Sequence, residues 1–221
     1  MTEVSKKLKE HYEATFQVHG PTSQGVDWGE DASRLALRYE KMLAVIVEAS
    51  DAVSILDVGC GFGGLLAYSQ KKGVKVDYTG IDVAENMIEW ARNKCMNAEF
   101  VCGDILEVDF GRRFDYVVCN GILTQKLDVP GMVMDRFAGR LIRRMFDLCY
   151  KGIAFNVMTT KVNYFSNNLY YRNPAEMLSW ALSEITPYIK IDHSYPLYEY
   201  TMYLYREGIL GPFYDDGDRK S

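Results

Sequence analysis

The amino-acid sequence predicts an α/β fold, a Rossmann-like doubly wound sheet of about seven strands that is mostly parallel and has an antiparallel C-terminal hairpin strand. Short apolar runs alternate with helical stretches along the chain, and strands joined by helices form a parallel sheet with helices on both faces. A glycine-rich turn follows the first apolar run at residues 59–64. The last two β-rich runs are separated only by residues 194–196, too short for a parallel crossover, so the last strand should run antiparallel to the others.

Two helices and a loop are expected before the first strand. Residues 2–18 are polar and predict a helix, and residues 31–49 carry apolar side chains at helical spacing, which predicts a second helix against the core. Between them, HGPTSQGVDWGED at residues 19–31 predicts a loop through its Gly, Pro and Asp content. The run VSILDVG at residues 53–59 then predicts a buried strand.

The remaining elements alternate between strand and helix to the end of the chain. The predicted strands cover residues 75–82, 98–105, 114–121 and 152–158, and the predicted helices cover residues 64–72, 84–95, 132–150 and 173–185. We treat residues 1–221 as a single domain. Within it, residues 1–34 are expected to form an N-terminal helix and lid loop, and residues 159–173 a substrate-side insertion. The polar tail DDGDRKS is expected to be loose.

Composition restricts the classes of partner. The chain has 221 residues, 25 Lys and Arg against 30 Asp and Glu, and a net charge of -5 without a basic stripe, which argues against a nucleic-acid partner. It has neither an apolar run long enough to span a membrane nor the apolar core of a signal peptide. Five cysteines without a Cys-x-x-Cys pair or a histidine at ligand spacing predict no disulfide, no metal site and a cytoplasmic protein.

The segment SILDVGCGFGG at residues 54–64 matches two cofactor patterns. It contains Gly-x-Gly-x-x-Gly, which is typical of dinucleotide sites, and Asp-x-Gly-x-Gly-x-Gly, which is typical of S-adenosylmethionine sites. In both, the glycines permit a sharp turn and a close approach of the cofactor to the backbone. Asp82, at the end of the second predicted strand, can accept hydrogen bonds from both ribose hydroxyls in either case.

Three features favour the sulfonium cofactor. Asp57 stands just before the first glycine, where a carboxylate would repel a pyrophosphate but suits the cationic amino group of a methionine moiety. Asp104 ends the third predicted strand, where it can accept from the adenine amino group. The antiparallel last strand differs from the parallel ending of a nicotinamide-type fold.

Four segments in this order resemble the class I S-adenosylmethionine-dependent methyltransferase family, of the small bacterial stand-alone type. They are ILDVGCGFGG, GIDVAENMIEWAR, FVCGDIL and FDYVVCNGIL, and the resemblance extends over residues 35–206. It implies S-adenosyl-L-methionine as the cofactor, S-adenosyl-L-homocysteine as the product, and transfer of the methyl group by direct displacement.

The resemblance also implies which residues hold the cofactor. Asp57 and the glycine backbone would hold the methionine end, Asp82 the ribose, and Asp104 the adenine edge. Tyr12 and Trp28 are candidates by position for aromatic contact with the sulfonium, and Arg38 for contact with the cofactor carboxylate. The full expected set is Tyr12, Trp28, Arg38, Asp57, Gly59, Cys60, Gly61, Gly63, Asp82, Val83, Met87, Gly103, Asp104, Ile105, Asn120 and Gly121.

The candidate catalytic residues are His19, Asn120 and Asn156. Asn120 closes the fourth predicted strand and Asn156 lies near the end of the fifth, so both should reach the edge where ligands bind. His19 opens the lid loop and is the candidate base, with Tyr171 or Glu199 as alternatives. An amine acceptor could also react without a strong base.

The end of the fourth strand favours a small methyl acceptor. The segment Cys119-Asn120-Gly121-Ile122 lacks the Asp- or Asn-Pro-Pro-aromatic motif of relatives that methylate adenine or glutamine amides, and Cys119 lacks the sequence context of cytosine C5 methylation. We therefore expect transfer to an oxygen or nitrogen of a small molecule, by a monomer or homodimer. A protein or RNA methyltransferase, a non-catalytic S-adenosylmethionine-binding partner protein and, last, a nicotinamide oxidoreductase remain as alternatives.

Overall fold

In the computed structural model, which describes residues 1–47 and 51–211, strands and helices alternate along most of the chain. The strands are β1 (Val53–Val58), β2 (Val76–Asp82), β3 (Glu99–Cys102), β4 (Phe114–Cys119), β5 (Cys149–Thr159), β6 (Tyr171–Arg172), β7 (Ile189–Asp192) and β8 (Glu199–Tyr205). The helices are α1 (Glu3–His19), α2 (Ala32–Leu43), α3 (Gly64–Lys71), α4 (Glu85–Lys94), α5 (Gly131–Asp147) and α6 (Pro174–Glu184), with a 3-10 turn at Gln24–Val26.

The strands of the described residues form an eight-stranded sheet in the order β3-β2-β1-β4-β5-β8-β7, with β6 paired to β5 outside this path. β1 pairs in parallel with β2 on one side and β4 on the other. β8 is antiparallel to both β5 and β7, because its short link to β7 leaves no room for a crossover. The α/β class and the antiparallel C-terminal strand are confirmed, and the strand beyond the expected number is the two-residue β6.

The sheet has a topological switch point at β1. The chain moves outward from β1 to β2 and β3, and then returns to the other side of β1 with β4. In open parallel sheets ligands bind beyond the carboxyl ends of the strands at such a reversal. Val58, Asp82 and Cys119 end the three strands concerned, so the fold brings the glycine turn, the Asp82 carboxylate and the segment after β4 to one edge.

The end of α2 differs most from its prediction over residues 31–49. The helix ends at Leu43, and the N–H groups of Val45 and Ile46 then donate to carbonyls only three residues back. Val45 is fully buried, so its apolar character reflects a packed turn and not a further helical turn. Residues 48–50 of the predicted helix lie outside the described residues, as does the polar tail DDGDRKS.

The boundary between α5 and β5 lies three residues earlier than predicted. The helix expected over residues 132–150 ends at Asp147, and β5 already begins at Cys149. The carbonyl of Leu148, between them, accepts from the N–H of Phe114 in β4. The helix therefore passes into the sheet across a single residue.

Two hydrophobic clusters pack on opposite faces of the sheet. Neighbouring residues of β1 divide between them, since Leu56 joins the cluster with α5 and α6, and Ile55 joins the cluster with α2, α3 and α4. This division follows from the alternation of side chains along a strand. No helix in the described part of the chain has the length and apolar character that crossing a membrane requires.

Helix α1 is amphipathic and lies against the body of the protein. Thr2 caps it by accepting the N–H of Ser5 on its side-chain oxygen, and Val4, Leu8 and Phe16 on one face are buried. Its position is fixed in part by Glu13, whose carboxylate accepts the N–H of Glu85 at 3.0 Å. Because α4 has no side-chain N-cap of its own, α1 supplies one from outside the helix.

Replacement of Phe155 by alanine tests the importance of the core face of β5. Phe155 is fully buried, and we expect Phe155→Ala to lower the free energy of unfolding by about 3–5 kcal/mol through lost burial and the cavity left behind. Tyr150→Ala, in the same strand but 60% exposed, should change it by roughly 1 kcal/mol or less. Urea denaturation measures both. Equal losses for the two variants would contradict this assignment of the core.

Candidate active site

A cavity opens at the carboxyl edge of β1, β2 and β4, at the topological switch point. It contains about 890 Å³ of empty space, including its open mouth. Segments from the sheet edge form its floor, and α1 and the turn before α2 form its roof. Its lining residues are Ser5, Leu8, Tyr12, Val26, Trp28, Tyr39, Asp57, Val58, Gly59, Cys60, Gly61, Phe62, Ile81, Asp82, Val83, Met87, Gly103, Asp104, Ile105, Asn120, Gly121, Ile122, Phe137 and Leu141.

The glycine turn after β1 forms the centre of the floor. The N–H groups of Gly59 and Cys60 both donate to the carbonyl of Ile81, at 2.8 and 3.1 Å. Gly59 has a φ of 73°, and a Cβ there would come within 2.7 Å of the Ile122 side chain. The turn therefore requires glycine for its left-handed backbone and for the close packing of the segment after β4.

The carboxylate of Asp82 is held by the backbone on both sides. Its Oδ2 accepts the N–H of Gly61 at 2.8 Å, and its Oδ1 accepts the N–H of Ala84 at 2.8 Å. Burial raises the pKa of Asp82, while these backbone donors oppose that rise. An ionised carboxylate has about four acceptor sites, so it keeps acceptor capacity for the hydroxyl groups of a ligand.

Asp104 is fixed in a similar way after β3. Its Oδ1 accepts the N–H of Leu106 at 3.0 Å, and its Oδ2 accepts the N–H of Thr2 at 3.4 Å. The side chain is buried and lines the cavity beside Ile105. Met87, from α4, is buried and lines the same cavity. Together they offer apolar walls and an acceptor, as a flat aromatic ring with an amino group would need.

Asp57 is the buried acid in the floor and is 3% exposed. Burial raises its pKa to about 7, against the opposing effect of the hydrogen bond that the Tyr78 hydroxyl donates to its Oδ2 at 2.6 Å. A cationic group bound in the cavity would favour the ionised carboxylate. Asp57 is thus suited to hold an ammonium group.

Behind the wall of the cavity, a chain of buried hydrogen bonds joins β4, β5, β8 and α2. The N–H of Gly121 donates to Asn156 Oδ1 at 2.8 Å, and Asn156 Nδ2 donates to Glu199 Oε1 at 3.1 Å. Arg38 donates from Nε and Nη2 to Glu199 Oε2 at 2.9 and 2.8 Å. The side-chain oxygen and nitrogen of Asn156 both serve this chain, so the structure places it behind the rim that the sequence predicted for it.

Two buried polar atoms near this chain have no partner. They are Asn120 Oδ1, on a residue that lines the cavity, and Arg38 Nη1. Arg38 does not line the cavity, but its guanidinium stacks 3.7 Å from the centre of the Trp28 ring, which does. Leaving a buried donor or acceptor unsatisfied costs about 1–3 kcal/mol, so both atoms favour a bound polar molecule that supplies the missing bonds.

The roof of the cavity is largely aromatic and apolar. Trp28 packs on Gly121, where a Cβ would lie 2.8 Å from the indole, and Val26 packs beside Gly61. Tyr12 lines the cavity from α1, and burial raises the pKa of its hydroxyl. Aromatic faces at this position can stabilise a bound cation.

Two other predicted residues, His19 and Gly63, lie outside the cavity lining. His19 is exposed at the end of α1 and borders a shallow surface depression with Thr15 and Gln24, so the structure does not bring the expected base to the cavity. Gly63 is the left-handed N-cap of α3 and acts through the shape of the turn. The remaining predicted residues, apart from Arg38 and Asn156, are all in the lining.

Sequence reasoning expected Tyr12 and the N-terminal helix at the cavity, but it missed two further residues of α1 and the contribution of α5. Ser5 and Leu8 from α1, and Phe137 and Leu141 from α5, line the cavity. A signal for α1 was available, because its buried apolar residues, Val4, Leu8 and Phe16, are separated by four and eight positions, a spacing that indicates an amphipathic helix.

The comparisons with known proteins agree with this geometry. The family described as "Methyltransferase domain" matches residues 55–143. A protein of Mycobacterium tuberculosis (strain ATCC 25618 / H37Rv), named as methyltransferase Rv1506c, is 31% identical over 162 residues, which are 71% of this chain and 95% of that protein. The chain belongs to the class I S-adenosylmethionine-dependent methyltransferase family.

Other members of this methyltransferase family match more narrowly. The malonyl-[acyl-carrier protein] O-methyltransferase of Acetivibrio thermocellus is 35% identical over 89 residues, 39% of this chain and 31% of that protein. This chain thus aligns with about a third of that relative's length. Among solved structures, the DhpI-SAM-HEP complex superposes with a TM-score of 0.64 at 16% identity, covering 92% of this chain and 99% of that one. The plantazolicin methyltransferase BpumL with SAH has a TM-score of 0.59 at 17% identity, covering 93% and 99%. These two structures show a shared fold.

The raised pKa of Asp57 predicts a pH-dependent cost to stability. Between the ordinary value of 3.8 and about 7, the folded protein retains a proton that the unfolded chain releases, so the stability contributed by this group falls as pH rises through that window. Asp57→Asn removes the titration. The free energy of unfolding of the variant minus that of the wild type, measured by urea denaturation, should therefore be more positive at pH 8 than at pH 5. A difference between the two proteins that does not change with pH would contradict the prediction.

Proposed function

We propose that this methyltransferase moves the methyl group of S-adenosylmethionine to an oxygen or nitrogen of a small-molecule acceptor by direct displacement. The observation that carries the proposal is the cavity at the switch point, where three carboxylates at the ends of β1, β2 and β3 share one space with the unpartnered Asn120 Oδ1. The roof formed by α1 and the turn before α2 restricts that space, which supports a small acceptor group.

Within this proposal the cavity residues divide by the part of the cofactor that they suit. Asp82 would take the ribose hydroxyls with its remaining acceptor capacity. Asp104 and the Ile105 amide would read the adenine edge, with Val83 and Met87 as apolar walls. Asp57 and Asn120 Oδ1 would face the amino group, and Arg38 Nη1 would face the carboxylate beside Trp28. Each assignment uses an atom that the protein itself leaves unsatisfied or exposed to the cavity.

The protein's part in the reaction is mainly alignment. S-adenosylmethionine, when bound, supplies an electrophilic methyl group on a sulfonium sulfur. Tyr12 and Trp28 would stabilise the positive charge with their aromatic faces, and Gly121, fixed by Asn156, would set the wall past which the acceptor approaches. Asn156 is accordingly a positioning residue.

The types of side chain that line the cavity indicate whether the methyl acceptor would meet a strong base there. None of the described residues that line the cavity is a histidine or a lysine, and the cysteine among them, Cys60, has a pKa raised by burial. Such a wall supports an acceptor that needs no strong base, for example an amine. An O-acceptor remains within the proposal, provided that it reaches the cavity already ionised or loses its proton to solvent.

The names of the relatives support transfer to oxygen or nitrogen. They include malonyl-[acyl-carrier protein] O-methyltransferases and the dTDP-4-amino-2,3,4,6-tetradeoxy-D-glucose N,N-dimethyltransferase of Saccharopolyspora spinosa, which is 30% identical over 98 residues, 44% of this chain and 36% of that protein. Both chemistries are displacement by a heteroatom. For this chain we propose the shared reaction class, without transferring either substrate.

The proposed setting of the enzyme follows from its surface and its thiols. We propose that residues 1–34 cover the cofactor and that residues 159–173 border the acceptor. All five cysteines are free, which supports a reducing compartment such as the cytoplasm. The net charge of -5 supports a partner other than nucleic acid. Monomer and homodimer both remain compatible with the proposal.

Calorimetric titration with S-adenosylhomocysteine tests the site assignment, with NADH as the control ligand. The wild type should bind the first and not the second. Asp82→Ala removes the ribose acceptor and the anchor of Gly61, and Gly59→Val places a side chain against Ile122, so each should weaken binding at least about tenfold. Normal binding by both variants would show that the site lies elsewhere.

Turnover separates the enzyme from a non-catalytic binding protein. After binding is established, small amines and hydroxylated metabolites should be screened for consumption of S-adenosylmethionine with the wild-type protein. His19→Ala should turn over an accepted substrate at the wild-type rate, because His19 lies outside the cavity lining. A large loss of turnover would show that His19 contributes to the reaction.

A further inference from the structure

We infer that Asp27 is a positioning residue that fastens the roof of the cavity to the segment after β4 and so slows the exchange of the cofactor. This inference rests on the proposed function and deepens it, because it assigns the retention of the cofactor to one carboxylate.

Asp27 stands between two residues of the cavity wall. Val26 and Trp28 both line the cavity, whereas Asp27 does not. The Val26 side chain packs beside Gly61 in the glycine turn, and the Trp28 ring packs on Gly121. Any displacement of Asp27 would therefore move two walls of the cavity, one on each side of the space proposed for the methionine end.

The Asp27 carboxylate joins three separate segments through one oxygen. Its Oδ2 accepts from Gln125 Nε2 at 2.6 Å and lies 3.1 Å from His11 Nε2. His11 belongs to α1, and Gln125 follows β4 and is buried. The bonds thus link the turn before α2 to the other roof element and to the body of the protein.

Gln125 is in turn held by Asn168 of the substrate-side insertion, residues 159–173. Its Oε1 accepts from Asn168 Nδ2 at 3.2 Å, and the Asn168 carbonyl accepts the N–H groups of Lys126 and Leu127, both at 2.8 Å. The amide that meets Asp27 is therefore pre-oriented, which reduces the entropy lost when the bond forms. The same arrangement connects residues 159–173 to the roof.

The backbone on both sides of this contact gives an independent indication. Within the described residues, Asp27 and Leu127 are the non-glycine residues with positive φ, at 62° and 54°. Such conformations persist where the surrounding structure holds them, and they concentrate at clamps and ligand sites. Asp27 is the fastening residue, and Leu127 lies two residues after Gln125, the partner of Asp27.

The direct test is the dissociation rate of S-adenosylhomocysteine from the full chain, measured by stopped-flow displacement. Asp27→Asn keeps the side-chain size and tolerates the left-handed backbone, but removes the negative charge that strengthens the bond donated by Gln125. The rate should rise about fivefold, because a neutral hydrogen bond is roughly half as strong as a charge-assisted one. The KM for S-adenosylmethionine should rise by a similar factor with kcat unchanged or raised.

Two further variants exclude a general loosening of the surface. Glu30→Gln removes a neighbouring carboxylate whose bond, to Gln24 at 3.4 Å, stays within the same turn, and it should leave the rate unchanged. Adding Gln125→Glu to Asp27→Asn exchanges donor and acceptor and should restore most of the slow dissociation. A wild-type rate in Asp27→Asn, an equal acceleration in Glu30→Gln, or no rescue in the double variant would each overturn the inference.

Hydrogen exchange of the protein without cofactor tests the role of Asp27 independently of whether the protein binds S-adenosylmethionine. Asp27→Asn should lower the protection of amides in α1 and residues 20–29 and leave β1 and β4 unchanged, and equal protection in the two proteins would overturn the inference. If the wild type fails to bind S-adenosylhomocysteine at all, the proposed function fails. The exchange comparison still decides whether Asp27 fastens the roof.

Discussion

The Asp82 carboxylate holds together the two loops on which the site depends. By accepting the N–H groups of Gly61 and Ala84, it ties the glycine turn after β1 to the start of α4. The turn in turn fixes the segment after β4 through the contact of Gly59 with Ile122. A single acid at the end of β2 thus sets the relative position of three strand ends, and the remaining acceptor sites face the cavity as a result.

The sequence was informative wherever a feature depends on neighbours along the chain. Alternating strands and helices predicted the sheet, and the short link before β8 predicted its antiparallel direction. Asp57, Asp82 and Asp104 were predicted at the strand ends because parallel strands bring their carboxyl ends to one edge. The structure places all three in one cavity, although their contacts with the cofactor stay a prediction.

Features that depend on distant parts of the chain could not be predicted. Asn156 lies at the expected end of β5, but its partners Gly121 and Glu199 are 35 and 43 residues away in sequence, and they occupy the amide that was expected at the rim. His19 is the last residue of α1, and the direction of this helix is set by packing against elements distant in sequence, so the local pattern did not predict the distance of His19 from the cavity. The apolar residues beyond Leu43 predicted a longer helix because burial in a turn and burial on a helix produce the same composition.

The chain of hydrogen bonds from Gly121 to Arg38 has a consequence for divergence within the family. Groups from the segment after β4 and from β5, β8 and α2 hydrogen-bond to one another, and removing one partner of the Arg38–Glu199 pair would leave a buried charge uncompensated. Single replacements there are costly even where the acceptor has changed. These positions should therefore vary together among descendants of a common ancestor, while the surface of residues 159–173 diverges one substitution at a time.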